Sequence, residues 1–211
     1  MIYNFPRKKK NKITNYLTFS SPDPFSISVE TPGWDGKLYC STDTKIWEEW
    51  TGNEVNATEA DGIYALYFSG TGNTKIAGGS SYNWTLNGSS ISCTGNIESL
   101  LDYETVAAGQ HPTMADSCYN YMFNGCTSLT TAPSLPATTL ATRCYYMFNG
   151  CTSIKLAISK SREYDKEYRI PKSGNGVTAT SALFDMFAQT GGTFTGTPKI
   201  NTTYYTSNTI V

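Results

Sequence analysis

Met-Phe-Asn-Gly-Cys-Thr-Ser, the sequence of residues 122–128, recurs without a change at residues 147–153. The two copies start 25 residues apart, a period typical of leucine-rich-type repeat proteins. The likeness extends beyond the seven residues, because a Cys-Tyr pair precedes each copy and an aliphatic residue follows it. A run of this length at this spacing indicates a duplicated structural unit.

A weaker third copy begins at Leu183, where Met186-Phe187 matches Met122-Phe123. It comes 39 residues after the second, so about 14 residues exceed the period. The excess falls in residues 155–172, which are rich in charge. Alternation of Tyr164, Tyr168 and Ile170 permits a projecting hairpin, whereas a solvated loop is the ordinary alternative. We expect an insertion on an exposed face, and it is the first place to seek a partner contact.

Each unit has residues suited to a short helix, a turn and a strand. Asp116 is placed to cap a helix, and Gly125 is placed to end it in the left-handed conformation. Three residues are predicted to face inward at helical spacing: Cys118, Met122 and Phe123. Cys126 and Leu129 then enter a short strand. Since one unit alone leaves its apolar face exposed, and burying one Leu or Met contributes about 1.5–3 kcal/mol, we predict that the copies stack into a short solenoid.

The chain before the repeats is predicted to form short strands separated by turns. Residues 63–68 are nearly all apolar and predict a central strand, and residues 45–47 predict the start of another. Residues 84–86 and 91–93, joined through the turn Asn87-Gly88, predict a hairpin. Strands at this spacing favour a small antiparallel β-sandwich. The expected core residues are Phe19, Ile27, Leu38, Trp47, Leu66, Phe68, Trp84, Leu86 and Ile91.

These patterns predict a β-rich α+β protein in which an antiparallel β-sandwich precedes a short leucine-rich-repeat-like solenoid. The predicted parts are a basic docking arm at residues 1–16, a sandwich-like domain at 17–95, and a repeat stack at 96–211 with its insertion at about 155–172. A helical turn capped by Asn96 is expected to close the first domain.

The N-terminal segment is basic and lacks hydrophobic periodicity. It is either a disordered tail or an arm that becomes ordered on a partner. The residues that would dock are Phe5, Pro6, Arg7, Lys8, Lys9 and Lys10. Four adjacent charges without an aromatic stacking platform do not indicate nucleic acid. No apolar segment follows them, so we expect no secretory signal.

The composition favours contact through uncharged groups. Charged residues make up 16% of the chain, against about 25% in ordinary domains, while Thr, Ser and Tyr number 30, 21 and 15. A net charge of −1 gives no attraction to nucleic acid or an anionic membrane, and no run approaches the ~18 apolar residues of a membrane helix. The candidate surface residues for glycan contact are Tyr119, Tyr121, Tyr145 and Tyr146, although their spacing is equally compatible with internal packing.

No pattern predicts a catalytic, cofactor-binding or metal site. His111, the one histidine, is expected to be a solvated loop residue. The six cysteines lack the paired spacing of a zinc site, and those in the repeats are predicted to be buried thiols, with disulfides or a metal site as alternatives. Carboxylates such as Asp43, Glu48 and Glu49 leave a glycoside hydrolase as a distant alternative.

Residues Met122–Leu140 resemble the BspA-like leucine-rich repeats of gut Bacteroidales surface proteins and of the tailed, crAss-like phages that infect these bacteria. The resemblance covers about residues 17–154, since a similar β-domain often precedes such repeats. It implies a non-enzymatic contact protein. Bacterial members carry secretion signals, and the lack of one here favours a phage protein.

We therefore expect a virion structural protein of the head-fibre or capsid-decoration type at the virion surface. Its N-terminus would dock on capsid or other virion proteins, it would form a dimer or trimer, and its repeats would contact host-surface glycans. The alternative is a secreted bacterial adhesin or carbohydrate-binding module at the cell surface. We expect no cofactor, no nucleic acid partner and no membrane span.

Overall fold

The computed structural model describes residues 12–171 and 181–207, so the predicted docking residues Phe5 to Lys10 lie outside the described residues. The described residues hold thirteen strands and three short helices, which confirms the β-rich class. The elements are β1 (Leu17–Ser21), β2 (Ser26–Val29), β3 (Lys37–Ser41), β4 (Glu48–Trp50), β5 (Val55–Asn56), β6 (Thr58–Ala60), β7 (Ile63–Thr71), a 3-10 helix (Ser80–Tyr82), β8 (Trp84–Asn87), β9 (Ser92–Thr94), a second 3-10 helix (Ile97–Leu100), α1 (Tyr103–Ala107), β10 (Lys155–Ala157), β11 (Tyr164–Ile170), β12 (Gly191–Gly192) and β13 (Thr202–Ser207).

The first half of the chain forms two antiparallel sheets. One has the order β4-β3-β7-β1-β9 with β6 also paired to β7, and the other has the order β5-β2-β8. The predicted central strand is confirmed, because β7 pairs with three other strands. The Trp84 ring of β8 lies 6.1 Å from Phe19, 5.0 Å from Trp50 and 5.2 Å from Phe68, all in the larger sheet. The two sheets therefore share a core, as the predicted sandwich requires.

The predicted hairpin of residues 84–93 is wrong, because β8 pairs with β2 while β9 pairs with β1 in the other sheet. Two hydrogen bonds of Ser89 hold the chain where it crosses from one sheet to the other. The Ser89 carbonyl accepts a hydrogen bond from the Ser21 hydroxyl (2.9 Å), and its own hydroxyl donates to Asp23 (2.8 Å). The connection is thus held against the end of β1, and Asn87-Gly88 is not the two-residue turn of a hairpin.

The prediction of Trp47 as a core residue is also wrong, because Trp50 takes that place. The strand starts at Glu48, and its register places Trp50 opposite the buried Leu38. Trp47 is half-buried on the outer side, where its indole N–H donates to the Thr44 carbonyl (3.1 Å) and its ring meets Tyr16 at 5.6 Å. Because side chains alternate along a strand, a register shift of one residue decides whether Trp47 or Trp50 faces the core.

Residues 116–125 form consecutive turns rather than the predicted helix. A residue with positive φ recurs every fourth position, at Ser117 (61°), Tyr121 (64°) and Gly125 (74°), and a right-handed helix cannot continue through such residues. The left-handed conformation predicted for Gly125 is confirmed. The predicted cap is wrong, because the Asp116 carboxylate accepts from the Thr142 backbone N–H of the next copy (3.0 Å).

Backbone amides in this segment alternate between two kinds of partner. The N–H groups of residues 120, 122, 124 and 126 close local turns on the carbonyl three residues earlier. Those of residues 117, 119, 121, 123 and 125 donate instead to carbonyls of the second copy, at 2.6–3.1 Å. The second copy donates in turn to Ala182, Met186 and Ala188 of the third. Half of the amides thus connect neighbouring copies.

Segments of the first half of the chain complete one end of this arrangement. The N–H groups of Ile76, Trp84 and Ile91 donate to carbonyls of the first copy, so the first half of the chain lies against that copy. The strand predicted at Cys126 and Leu129 is reduced to a single bridge between Leu129 and Ile91. The Asn96-capped turn is confirmed, since the Asn96 side chain accepts from the Glu98 N–H (2.8 Å).

The insertion does not form a projecting hairpin. It supplies β10 and β11 to a second-half sheet of order β11-β13-β10-β12, and β11 pairs antiparallel with β13 over Tyr164–Ile170. The Tyr168 hydroxyl donates to the Pro133 carbonyl (2.9 Å), and its ring lies 6.2 Å from that of Phe187. The insertion therefore packs on the repeats, while Ile158, which is 65% exposed, and most of its charged side chains face solvent.

Candidate contact site

The repeats stack two columns of rings in the interior. Phe148 lies 5.7 Å from Phe123 and 5.4 Å from Phe187, with ring planes 8° and 9° from parallel. Beside them, Tyr119 and Tyr145 stack at 5.7 Å and 20°. All five side chains are fully buried. The prediction of Tyr119 and Tyr145 as surface-contact residues is therefore wrong: both belong to the core because the Cys-Tyr pair points inward in each copy.

The other two predicted tyrosines, Tyr121 and Tyr146, lie on the outer side of the repeats. Their rings meet edge to face at 4.8 Å, and Tyr146 is 6.2 Å from Phe184 of the third copy. Phe184 is 54% exposed. The Asn149 amide donates to the Tyr146 hydroxyl (3.3 Å). One aromatic side chain from each copy thus forms an outer stripe, defined as Tyr121, Tyr146 and Phe184.

Sequence reasoning missed Phe184. It follows Leu183 in the degraded third copy, where two adjacent apolar residues look like core. The turn geometry of this copy, with positive φ at Ser181, Asp185 and Gln189, would have indicated the outward position, but φ cannot be read from the sequence.

Burial raises the pKa of the Tyr146 phenol, and Tyr121 raises it further. Tyr146 therefore offers a neutral hydroxyl beside the aromatic faces.

The outer stripe ends at a shallow groove of about 360 Å³. Phe184 forms one wall, and Pro198, Lys199 and the 41%-exposed Ile200 form the other. A volume of this order is at the small end of ligand sites. The groove combines apolar surface, hydroxyl groups and one cation, so it suits a partly apolar, uncharged or weakly anionic ligand.

A second groove of about 450 Å³ lies where three parts of the chain meet. Thr94 and Gly95 come from the end of β9, Ser134 from the first copy, and Glu167 and Arg169 from β11. The Arg169 guanidinium donates to the Thr203 hydroxyl (3.3 Å), which holds it at the groove. The groove carries one carboxylate and one guanidinium, a pair able to accept from and donate to the hydroxyls of a neutral ligand.

Two of the three carboxylates named for the glycosidase alternative have partners of their own. The Glu49 carboxylate forms a salt bridge with the Lys37 ammonium (2.6 Å). Asp43 accepts from the backbone N–H groups of Lys45 and Ile46, which lower the pKa of its carboxyl. Both groups are exposed and shape the surface around β3 and β4.

The four repeat cysteines are buried, unpaired thiols, as predicted. The Cys126 thiol donates to the Trp84 carbonyl (3.2 Å) and the Cys151 thiol to the Phe123 carbonyl (2.9 Å), so each reaches the preceding layer. Burial raises the pKa of Cys126 and Cys144 to about 12. Burial also raises the pKa of Cys118 and Cys151 far above the usual range.

We expect native protein at pH 8 to be alkylated by iodoacetamide first at Cys40, which is half-buried. The thiolate is the reactive form, and a pKa near 12 leaves about one thiolate in ten thousand at that pH. Unfolding in urea should expose all six cysteines. Mass spectrometry of the labelled peptides checks this. Labelling of Cys126 in the native protein as fast as that of Cys40 would contradict the buried stack.

His111 is an exposed loop residue, as expected, but it has a buried partner that the sequence did not predict. Its Nδ1 lies 2.8 Å from a carboxylate oxygen of Glu98, whose side chain is only 1% exposed. Burial raises the pKa of Glu98, and His111 opposes that rise. The only histidine of the chain therefore partners a buried acid in the segment that closes the first sheet pair.

Within residues 12–171 and 181–207, no three or more His, Cys, Asp or Glu side chains are grouped so that they could hold a metal ion. No helix in the same ranges has the length and apolar character needed to cross a membrane. Comparison with known proteins gives no match: no protein-family model fits the sequence, and neither curated proteins nor solved structures are similar to it. The resemblance to BspA-like repeats stays a prediction.

Proposed function

We propose that this protein is a non-enzymatic contact protein whose three copies form a leucine-rich-repeat-like solenoid with a glycan-binding outer face. The outer stripe of Tyr121, Tyr146 and Phe184 carries this proposal. These rings lie outside a hydrogen-bonded stack, at 4.8 and 6.2 Å from each other, and are not needed to fill its interior. Aromatic faces with neighbouring amide and hydroxyl groups suit sugars, which present apolar C–H faces and many hydroxyls.

Binding by one such stripe is weak, and repetition is what would make it useful. Linking several weak sites raises the apparent affinity by 10²–10⁴ when the geometry permits simultaneous contact. A dimeric or trimeric assembly on a particle provides this repetition. The basic segment from Phe5 to Lys10 is the proposed anchor of each subunit on its neighbours.

The assembly that we propose is a phage virion, with the protein as a head fibre or capsid decoration. The resemblance of Met122–Leu140 to repeats of crAss-like phages supports this location. Mass spectrometry of density-purified particles from the biological source should detect the chain at many copies per particle. Recovery only from the bacterial envelope fraction would exclude the virion and favour the adhesin.

Replacing Tyr121, Tyr146 and Phe184 together by alanine should weaken binding to glycans of the host surface by more than about tenfold, or about 1.4 kcal/mol. Binding would be measured on a glycan array and by titration with the best ligand. Tyr103→Ala is the matched control, because Tyr103 is a half-buried tyrosine on α1 outside the stripe. Unchanged binding by the triple variant, or equal loss in the control, would remove the stripe from the glycan site.

A further inference from the structure

Five buried side-chain polar atoms of the described residues lack a hydrogen-bond partner among the protein atoms around them, and two of the five have complementary needs. One is Oε1 of Glu98 and the other is the hydroxyl of Tyr145. Glu98 lies in the 3-10 helix that closes the first sheet pair, and Tyr145 lies in the second repeat copy. One atom is an acceptor and the other can donate, so the two have complementary needs.

Tyr119 contacts the neighbourhoods of both atoms. The Tyr119 hydroxyl donates to the carbonyl of Ile97 (3.2 Å), the residue before Glu98. Tyr145 stacks on Tyr119 at 5.7 Å with the ring planes only 20° apart. The stacked ring thus puts Tyr145 in the layer next to Tyr119, whose hydroxyl contacts the residue before Glu98. In agreement, the charge of Glu98 raises the pKa of both phenols, after the larger effect of burial.

The other carboxylate oxygen of Glu98 is already occupied by His111 at 2.8 Å. The His111 side chain is 42% exposed, so this pair connects the buried acid with the surface. The titratable groups that face Glu98 are thus one imidazole and two phenols, and neither phenol donates to Oε1. Leaving a buried acceptor and a buried donor unbonded is more costly than bridging them.

We propose that a water molecule binds between Glu98 and Tyr145. It accepts from the Tyr145 hydroxyl and donates to Oε1 of Glu98, and its second proton faces the remaining lone pair of the Ile97 carbonyl. Three hydrogen bonds are what a buried water ordinarily makes. This water fastens the 3-10 helix to the second copy across the first, and it does not depend on the proposed function.

Tyr145→Phe tests the proposal, because a bridging water and an unpartnered hydroxyl predict different changes in the thermal midpoint. If water bridges the two groups, the variant loses a hydrogen bond and its thermal midpoint falls by about as much as that of Tyr119→Phe, whose hydroxyl has a visible partner. If the hydroxyl has no partner, removing it relieves an unsatisfied polar group, and the midpoint stays or rises. A fall supports the bridge; an unchanged or higher midpoint overturns it.

A direct hydrogen bond from Tyr145 to Glu98 would also lower the midpoint, so a second measurement separates the two cases. A high-resolution crystal structure of the wild-type protein should show a water peak within hydrogen-bond distance of both oxygens. Direct contact between the two side chains, or empty space between them, would overturn the proposal. The crystal structure tests for the bridging water even if Tyr145→Phe fails to fold. Tyr205→Phe, at a half-buried tyrosine of β13, controls for loss of a phenol and should leave the midpoint unchanged.

Discussion

Replacing Phe148 by alanine is expected to lower the free energy of unfolding by about 3–5 kcal/mol. Phe148 is fully buried and lies in the middle of the inner column, with parallel rings at 5.7 Å on one side and 5.4 Å on the other. Its loss leaves a cavity lined by two rings that the backbone hydrogen bonds between copies keep apart. Urea denaturation monitored by circular dichroism measures the change.

The chain provides a matched control in Phe184, also a phenylalanine of the repeats but 54% exposed on the outer stripe. Phe184→Ala should change the free energy of unfolding by about 0.5 kcal/mol or less, as surface substitutions usually do. Equal destabilisation by the two variants would contradict the division between an inner column and an outer stripe.

Gly70→Ala is expected to have an effect at least as large, and soluble folded protein should be lost or destabilised by more than about 4 kcal/mol. A Cβ at this position of β7 would lie 1.7 Å from the Leu100 carbonyl oxygen. That carbonyl cannot move away easily, because the Asn73 amide donates to it (2.9 Å) and to the Lys37 carbonyl (2.8 Å). Soluble yield and thermal melting measure the outcome.

Gly78→Ala is the control for this substitution. The nearest atom to its added Cβ is Cδ of the flexible Lys75 side chain at 3.7 Å, an ordinary contact, and its φ is not in the left-handed region. It should melt close to the wild type. If Gly70→Ala melted like Gly78→Ala, the close approach of β7 to the 3-10 helix would be disproved.

The sequence predicted the buried faces better than it predicted the backbone. Met122, Met147 and Met186 are all fully buried, as the period of the repeat indicated. The helix predicted after Asp116 failed, because the pattern of inward residues is also satisfied by successive turns. Only the coordinates show that half of the amides bond to the next copy, and a non-glycine left-handed residue such as Tyr121 gives no sequence signal.

Local sequence patterns also could not predict which strands pair when they lie far apart in the chain. β11 pairs with β13, some 35 residues later, and Ser89 carries the chain from one sheet to the other. The four tyrosines divide into two buried and two outer residues for a similar reason. The sequence does not show which of two neighbouring tyrosines in a repeat faces inward, because that depends on the geometry of the turns.

The alternation of amide partners has an evolutionary consequence. Each copy bonds to its neighbour through equivalent backbone atoms, so a further 25-residue unit inserted between two copies would meet complementary partners on both sides. Gene duplication could thereby extend the molecule in increments of about 5.4–5.7 Å, the spacing of the inner rings, with no redesign of either end. The length of the repeat array would then be inherited as a variable number of units, changed by recombination rather than by point mutation.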